Sequence, residues 1–467
     1  MKKKLLVAAM AAGLGAVGTA HAVHVNHDGT GQVLLYPYYT VQNGFDTYVH
    51  VVNTTNRVKA VKVRFLEGKN SQEVLDFNLY LSPYDEWAAT LSRSANGTII
   101  TSADTSCTAP ALPAAGVEFR NTEYRGDSVN SVARTREGHI EIIEMGEVDS
   151  PDHATAATHT SAGVPANCAL IRTAANGVFN TVTTLITLPR GGLYGYATLI
   201  NVNAGVATSV DAVALDGFFD SIDSYADLHS QTGSLSPSLE SVNTEATILS
   251  GVNTYTFDNS VRPIDNVSAL LMHSAIMNDY VVAPEIAAMT DWVISFPTKR
   301  AYVNGGVRAP FQEAWSTSRS ASCDPITPVY YDREERTQTP AEGDFSPTEE
   351  PGAITLCNEV NTLSIVSPAT AGAKVFGAAF TNKELALDSG FNAGWLRIGF
   401  PNDLGLTRAR VLTDGDVSLT GLPVIGFAAM SFENGTLTVD GVNVLSNYMG
   451  STVHKAERTI VAPTPLP

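Results

Sequence analysis

The sequence is poor in charged residues, and positive charge is the scarcer sign. Charged residues make up 16% of the 467 residues, whereas soluble domains typically carry about 25%. Lysine and arginine together number 29 against 47 acidic residues, so the formal net charge is −18. Because a chain this acidic repels phosphate backbones, we expect no nucleic-acid partner.

The four cysteines lack the spacings of metal-binding and redox motifs. None lies in a C-x-x-C pair, and none has histidine neighbours at zinc-ligand spacing. An even number of widely spaced cysteines favours disulfides in an exported chain. Of the three pairings that four cysteines allow, we predict Cys107–Cys168 with Cys323–Cys357, because this pairing closes the shortest loops.

Long apolar runs are also missing from most of the chain. After the first 22 residues, no apolar run reaches the roughly 18 residues that a membrane-spanning helix needs. The first 22 residues combine a basic start at Lys2–Lys4, an apolar stretch from Leu5 to Val17 and an A-x-A motif at Ala20-His21-Ala22. We therefore predict that residues 1–22 are a secretory signal peptide. The protein is then exported to the periplasm, the cell surface or the extracellular space.

The clearest strand pattern of the chain lies within residues 32–91. Val61 and Val63 alternate there with Lys62 and Arg64. A period of two places one face of a strand on a core and the other face in water. The pattern therefore predicts a half-buried strand.

Two Asn-Gly pairs separate strand-like runs, at Asn43-Gly44 and Asn434-Gly435. A type I′ turn needs positive φ at both central residues, so these pairs predict β-hairpins. Pro37 interrupts the run over 32–41 and has no N–H to give to a ladder. It therefore predicts that this run is an edge strand or contains a bulge.

Many short strands, frequent Asn-Gly and Asp-Gly turns and the lack of a long amphipathic helix predict an all-β fold. We expect one to three antiparallel β-sandwich domains with long loops. Composition shifts divide the mature chain into a sandwich domain over 23–217, a Ser/Asp-rich connection over 218–251, a C-terminal sandwich region over 252–456 and a proline-rich tail over 457–467.

Part of the first domain resembles a known class of module. Val51–Thr55 matches a V-x-N-x-T strand end, Val61–Gly68 an alternating strand, and Leu81–Tyr84 an L-x-P turn. In this order the features resemble the immunoglobulin-like and fibronectin-type modules of exported bacterial surface proteins. The resemblance implies a β-sandwich architecture and no particular activity.

Candidate metal ligands occur in two Asp-Gly turns. Asp414 and Asp416 flank Gly415, and Asp440 precedes Gly441. Neither turn completes the D-x-D-x-D-G…E loop, so a calcium site would be assembled from separate loops. Calcium is thus a candidate ligand, and we predict no other cofactor.

We find no catalytic residue that the sequence supports. Gly126-Asp127-Ser128 matches the G-D-S of serine hydrolases, but it stands in a polar stretch, and we interpret it as a surface turn. Trp292 and Trp395 lie in apolar strand contexts, which favours core packing over a sugar-binding platform.

These observations favour an exported non-enzymatic structural or adhesive protein of the cell surface or extracellular matrix. Its partners are then surface or matrix components, or other copies paired through an edge strand at 32–41. The alternatives are a carbohydrate- or ligand-binding protein, assisted by calcium, and a β-sandwich hydrolase whose site is assembled from distant loops. Specificity is expected in the two polar excursions that the disulfides close, 107–168 and 323–357.

Overall fold

Almost every strand ladder in the protein is antiparallel, which confirms the predicted all-β sandwich fold. The computed structural model describes residues 22–182, 184–219, 229–241, 245–337, 354–402, 406–415 and 417–462. Of the predicted signal peptide, only Ala22 lies among the described residues, so that prediction falls outside them.

The first half of the chain forms two sheets that face each other across one core. Its strands are, in chain order, β1 (His24–Val25), β2 (Val33–Thr40), β3 (Asp46–Asn53), β4 (Lys59–Glu67), β5 (Glu73–Leu81), β6 (Glu86–Ser94), β7 (Gly97–Thr101), β8 (Cys107–Ala109), β9 (Val117–Glu118), β10 (Glu137–Val148), β11 (Ile186–Thr187), β12 (Leu193–Asn201), β13 (Val206–Asp211) and β14 (Val213–Asp216). One sheet has the order β1-β14-β2-β10-β4-β5-β8, with β11 beside β10. The other has the order β13-β12-β3-β6-β7-β9. Alternate side chains such as Val49 of β3 and Val63 of β4 fill the core.

The second half forms another pair of sheets and several smaller ones. Its strands are, in chain order, β15 (Glu245–Ser250), β16 (Asn253–Asp258), β17 (Met272–His273), β18 (Ala275–Val281), β19 (Ala288–Ser295), β20 (Asp324–Asp332), β21 (Ile354–Leu356), β22 (Val360–Val366), β23 (Asn382–Ala386), β24 (Ala393–Gly399), β25 (Val411–Asp414), β26 (Val417–Thr420), β27 (Leu422–Pro423), β28 (Ile425–Val439), β29 (Val442–Val453), β30 (Lys455–Glu457) and β31 (Thr459–Val461). The two larger sheets have the orders β21-β20-β24-β18-β30 and β23-β22-β19-β28-β29. Trp292 of β19 and Leu396 of β24 lie in the core that these sheets share.

The helices among the described residues are short, and one of them, Ile264–Leu271, is buried in the second core. The α-helices are α1 (Pro151–Ala157), α2 (Cys168–Ala175), α3 (Ile264–Leu271) and α4 (Arg300–Val303), and single 3-10 turns occur at Thr122–Tyr124, Val132–Arg136, Val178–Asn180, Leu239–Ser241 and Pro284–Ile286. Asn167 caps α2, since its side chain accepts a hydrogen bond from the Leu170 amide. Among the described residues, no helix has the length and apolar character needed to cross a membrane.

Both predicted disulfides are confirmed. Cys107–Cys168 joins the start of β8 to the start of α2, and Cys323–Cys357 joins the residues beside β20 and β21. All four cysteines of the sequence are therefore paired. Each bridge closes one of the polar excursions.

Replacing Cys107 and Cys168 by alanine is expected to lower the free energy of unfolding by about 2–4 kcal/mol, because the unfolded chain gains freedom. The loop spans 61 residues, against 34 for Cys323–Cys357. Because opening the longer loop gives the unfolded chain more entropy, loss of Cys107–Cys168 should lower the free energy of unfolding by about 0.5 kcal/mol more than loss of Cys323–Cys357. Guanidinium unfolding of the two double-alanine variants without reductant measures both effects. Wild-type stability of either variant would contradict the expectation.

The prediction that β4 has a water-facing side is wrong. β4 lies between β10 and β5, and its basic residues are as buried as its apolar ones. Ion pairs take the place of water: Lys62 Nζ lies 2.6 Å from Asp76, and Arg64 contacts Glu73 and Glu141 at 2.8 and 2.6 Å. Alternation in sequence distinguishes the two faces of a strand, but it does not show what covers each face.

β2 is an interior strand, which corrects the predicted edge strand over 32–41. Strands β14 and β10 flank it on either side. Pro37 lies where the β2–β10 register shifts, opposite the step from Gly138 to Ile140, so the predicted bulge is confirmed. The Pro37 carbonyl accepts a hydrogen bond of 2.6 Å from Ser295 Oγ in the second half.

The Asn43-Gly44 pair forms the predicted turn but not the predicted hairpin. Its φ angles are 49° and 78°, as a type I′ turn requires. The turn joins β2 of one sheet to β3 of the other, so the two strands share no ladder. Thr47 Oγ1 instead donates to Thr40 O at 2.7 Å and accepts from Thr40 N at 3.0 Å.

An aromatic cluster joins the two halves. The Tyr38 ring lies 5.2 Å from Phe376 and 6.5 Å from Phe427, and Phe45 lies 5.4 Å from Phe376, between ring centroids. All four rings are buried. Because large aromatic side chains dominate the energetics of such contacts, this cluster fixes one half against the other.

The start of the described chain is also bound by the second half. Val23 N donates to Glu245 O at 2.9 Å, and Thr247 N donates to Val23 O at 2.8 Å. The Val23 side chain is fully buried and packs in the core of the second half, as does Leu35 of β2. The outer face of the first sandwich is therefore part of the second core.

A buried arginine lies beneath the turn between β4 and β5. Arg134 is fully buried, and it donates to both carboxylate oxygens of Glu67 at 2.6 Å and to Asp127 at 2.7 Å. Its guanidinium also lies 4.2 Å from the Tyr124 ring. Burial lowers the pKa of Arg134, but the charges of Glu67 and Asp127 raise it by more. Asp127 is thus buried, and the prediction that Gly126-Asp127-Ser128 is a surface turn is wrong for this residue.

The same turn docks on the second half of the chain. Glu359 N donates to Lys69 O at 3.1 Å, and Val360 N donates to Gly68 O at 2.8 Å. The Ser71 hydroxyl donates to the carboxylate of Glu359, which is 1% exposed. Burial raises the pKa of Glu359 to about 8. A titratable carboxyl group is therefore enclosed at the contact between the halves.

Two of the described strands lie within the segments predicted as a connection and a tail. β15 begins inside the predicted connection over 218–251, and β31 lies inside the predicted tail over 457–467. β31 pairs with β26, and Ile460 packs against the second core. The division of the chain into domains stays a prediction.

Candidate interaction surface

The β28–β29 hairpin extends beyond the sheet to which it belongs. β19 pairs with β28 only from Ile425 to Phe432. Within the described part of the chain, β29 is the only strand that pairs with the remainder of β28. We call residues 433–448 the ribbon. It is a two-stranded antiparallel segment whose backbone is open along its edges.

The ribbon turns at Asp440-Gly441, which corrects the predicted hairpin at Asn434-Gly435. Asp440 and Gly441 have φ angles of 50° and 81°, as a type I′ turn requires. Asn434 and Gly435 lie within β28, where the register shifts and two residues oppose Ser446. A β-bulge can contain a glycine with positive φ, as a type I′ turn does. The Asn-Gly pair is therefore compatible with either structure.

One face of the ribbon lies against the first half of the chain. Asn447 Nδ2 donates to Ala204 O at 2.6 Å, and Thr208 Oγ1 donates to Ser451 Oγ at 2.8 Å. Leu445 covers Gly205, where a Cβ atom would come within 2.6 Å of the leucine Cδ1. These contacts fix the orientation of the ribbon, so its other face points into solvent.

The solvent-facing side of the ribbon is apolar. Leu437 pairs with Val444 and Val439 with Val442, which places the four side chains on one face. They are 55%, 41%, 52% and 62% exposed, and Tyr448 on the same strand is 65% exposed. The charged residues of the ribbon are Glu433 and, at the turn, a single aspartate. A contiguous exposed apolar patch of this kind is a candidate interaction surface.

The three candidate calcium ligands are not assembled into a site by the described residues. Asp440 occupies the ribbon turn, and the Asp414 carboxylate accepts a 2.6 Å hydrogen bond from Asp258 N. Asp416 lies outside the described residues. Among the residues described, no three acidic, histidine or cysteine side chains are grouped as a metal site. Calcium binding stays a prediction.

Ser82, Asp85 and His159 form a cluster that the sequence did not reveal. Ser82 Oγ lies 2.5 Å from His159 Nδ1 and 3.0 Å from Asp85 Oδ2, and the same histidine nitrogen lies 3.5 Å from Asp85. In a catalytic triad the histidine separates the nucleophile from the acid. Here the serine contacts both groups directly, and His159 Nε2 is occupied by Thr105 Oγ1 at 3.1 Å. We interpret the cluster as a brace between three loops.

The tryptophan predictions have different outcomes. Trp292 is fully buried, which confirms core packing. Trp395 is 40% exposed, so the prediction is wrong for this residue. Its ring stacks on Tyr331 of the neighbouring strand, with centroids 4.7 Å apart and planes 14° apart. This cross-strand pair covers one face of the indole without placing it in the core.

Comparison with known proteins found no match to this chain among protein-family models, curated protein sequences or solved structures. The ribbon is a candidate surface that the sequence analysis did not predict. Its signal was present, since Leu437, Val439, Val442 and Val444 are spaced symmetrically about Asp440-Gly441.

Proposed function

We propose that this protein is a structural component of the cell exterior that assembles with copies of itself through the ribbon. The observation that carries the proposal is the apolar, solvent-facing side of a two-stranded segment with open edges. The first half of the chain covers only one face of this segment. A second copy supplies the missing contacts, which agrees with the structural role expected from the sequence.

The size of the patch supports a symmetric dimer as the basic contact. Leu437, Val439, Val442, Val444 and Tyr448 together expose roughly 500 Å². Two copies that pair these faces bury about twice that area, which reaches the roughly 1,000 Å² of the smallest specific interfaces. A two-fold contact needs a surface that complements itself, and a face of aliphatic side chains meets that condition.

The charge distribution favours a second copy of the chain, and not a membrane surface, as the partner of the ribbon. Insertion of the ribbon into lipid would bury Asp440 at its tip, which is costly. Pairing of two ribbons side by side leaves that aspartate at the rim and in water. Because each chain carries a net charge of −18, two copies repel one another until salt screens them. Association should therefore strengthen with ionic strength.

Replacing Val439, Val442 and Val444 together by threonine is expected to weaken self-association of residues 23–467 at least about tenfold. Threonine keeps the shape and strand preference of valine while its hydroxyl group makes the face polar. Sedimentation equilibrium from low to high micromolar concentration, at two salt concentrations, measures the dissociation constant.

Val252 and Val261 supply the matched control. They are 99% and 88% exposed at sites outside the ribbon, so their replacement by threonine should leave association unchanged. A wild-type chain that stays monomeric at every concentration and salt would overturn the proposal. So would association that the triple variant retains, or attachment to phospholipid vesicles in place of self-association.

The placement outside the cytoplasm is part of the proposal. It is supported by the signal-peptide pattern of residues 1–22 and by two disulfides, which persist in oxidising compartments. The resemblance of residues 51–84 to immunoglobulin-like modules is compatible with such a role.

A further inference from the structure

A cavity of about 600 Å³ lies where the two halves of the chain meet. Its walls come from β14 of the first half, through Val213 and Ala214, and from the second half, through Leu270, Leu271 and Val424. None of its lining residues belongs to the ribbon. Cavities of roughly 300–1,000 Å³ with apolar walls are typical sites for small molecules.

The mouth of the cavity is exposed and partly apolar. Leu249 of the β15–β16 hairpin and Val453 at the end of β29 line it and are 51% and 54% exposed. His27 and Asp211 are exposed lining residues as well. Asp211 is the only carboxylate among the lining residues. The entrance thus admits an apolar ligand, and the carboxylate lies on the exposed part of the wall.

Arg458 brings a positive charge to the cavity wall. Its guanidinium donates to the carbonyl oxygens of Ala269 and Leu270 at the end of α3, at 3.2 and 2.6 Å. Both acceptors are neutral, and among the described residues no carboxylate lies within ion-pair distance of this arginine. Burial lowers the pKa of Arg458 to about 10, so the side chain stays cationic at neutral pH. Among the described residues, no counter-charge acts on this arginine.

Two histidines line the cavity in their neutral form. Burial lowers the pKa of His273 to about 3 and that of His454 to about 4. His454 Nε2 donates to Val293 O at 3.0 Å, whereas His273 Nδ1 is buried with no hydrogen-bond partner in the structure. Neutral imidazoles add hydrogen-bonding capacity without adding charge. Arg458 is therefore the cation that decides which ligand charge the cavity prefers.

We propose that this cavity binds a small amphipathic carboxylate, with its hydrocarbon body against the apolar walls and its carboxylate on Arg458. Arginine suits this contact because its planar guanidinium can present two N–H groups to one carboxylate. This ligand-binding property is independent of assembly through the ribbon.

Isothermal titration of residues 23–467 with decanoate, decanol and decylamine, each below its micelle concentration, tests the proposal. Decanoate is expected to bind about tenfold more tightly than decanol, and decylamine more weakly than both. Arg458→Gln should reduce decanoate affinity about tenfold and leave decanol affinity within about twofold. Arg93→Gln, which removes an exposed arginine from β6, should change neither.

Because Arg458 also binds the end of α3, a second variant keeps the test decisive. Ala456 is an exposed lining residue, so Ala456→Trp should place an indole ring against the cavity and weaken binding of both decanoate and decanol with Arg458 intact. Equal affinity of the wild-type protein for decanoate and decanol, no binding of either, or unchanged binding to Ala456→Trp would overturn the proposal. The threonine variant of the ribbon should bind decanoate normally, which separates this proposal from the proposed assembly.

Discussion

Replacing Arg134 with methionine is expected to lower the free energy of unfolding by about 3–5 kcal/mol. The side chain is fully buried and pairs with Glu67 and Asp127, so its loss leaves two buried carboxylates without a cation. Desolvated charges that lose their partner are far more destabilising than the pair itself is stabilising. The midpoint of guanidinium unfolding, with unchanged slope, measures the effect.

Arg397 offers the matched control for this substitution. It pairs with Glu457, but the two side chains are 34% and 45% exposed. Arg397→Met should therefore change the free energy of unfolding by about 1 kcal/mol or less, since water solvates the remaining carboxylate. Equal destabilisation by Arg134→Met and Arg397→Met would show that burial of the Glu67 carboxylate carries no penalty.

The stability of the protein is expected to fall as pH rises from 5 to 8, and Glu359→Gln should remove much of that fall. Burial raises the pKa of Glu359 to about 8, so the folded protein keeps a proton that the unfolded chain releases above pH of about 4.5. Between these values the folded state binds more protons, and its stability declines with pH. The single group accounts for about 3 kcal/mol over this interval.

Urea unfolding at half-unit pH steps measures this dependence. The positive charges of Lys299 and Arg300 lower the pKa of Glu359, and the charge of Glu67 raises it. Because salt screens these charges, wild type and Glu359→Gln must be compared in the same buffers. Glu123→Gln removes an exposed carboxylate and should leave the pH profile of the wild type unchanged. Parallel profiles for wild type and Glu359→Gln would contradict the buried, protonated state of Glu359.

The features that could be predicted from sequence are those that depend on local spacing. The all-β fold, the left-handed residues at Asn43-Gly44 and the bulge at Pro37 all follow from conformational preferences of a few neighbouring residues. The two disulfides follow from the short loops that nearest-neighbour pairing closes. Each of these predictions depends on residue types and spacings that the sequence shows directly.

The features that could not be predicted depend on what packs over a face. The alternation at Lys62 and Arg64 is correct, yet both are buried, because the flanking strands β5 and β10 cover them and supply acidic partners. The pairing of Arg134 with Glu67 and the approach of Arg458 to α3 likewise join distant residues. The ribbon and the cavity also depend on contacts between residues that are distant in sequence. Both lie outside the two disulfide-closed excursions, in which we predicted specificity from the sequence.

The hydrogen bonds between Val23 and the strand at Glu245–Ser250 have a consequence for biosynthesis. A chain made from its N-terminus emerges with β2 and β14 before the partners of their outer face exist, so Leu35 and Leu215 stay uncovered until the second half follows. Contacts so distant in sequence close slowly. The strands of the first sandwich can therefore all be made before its outer face is covered.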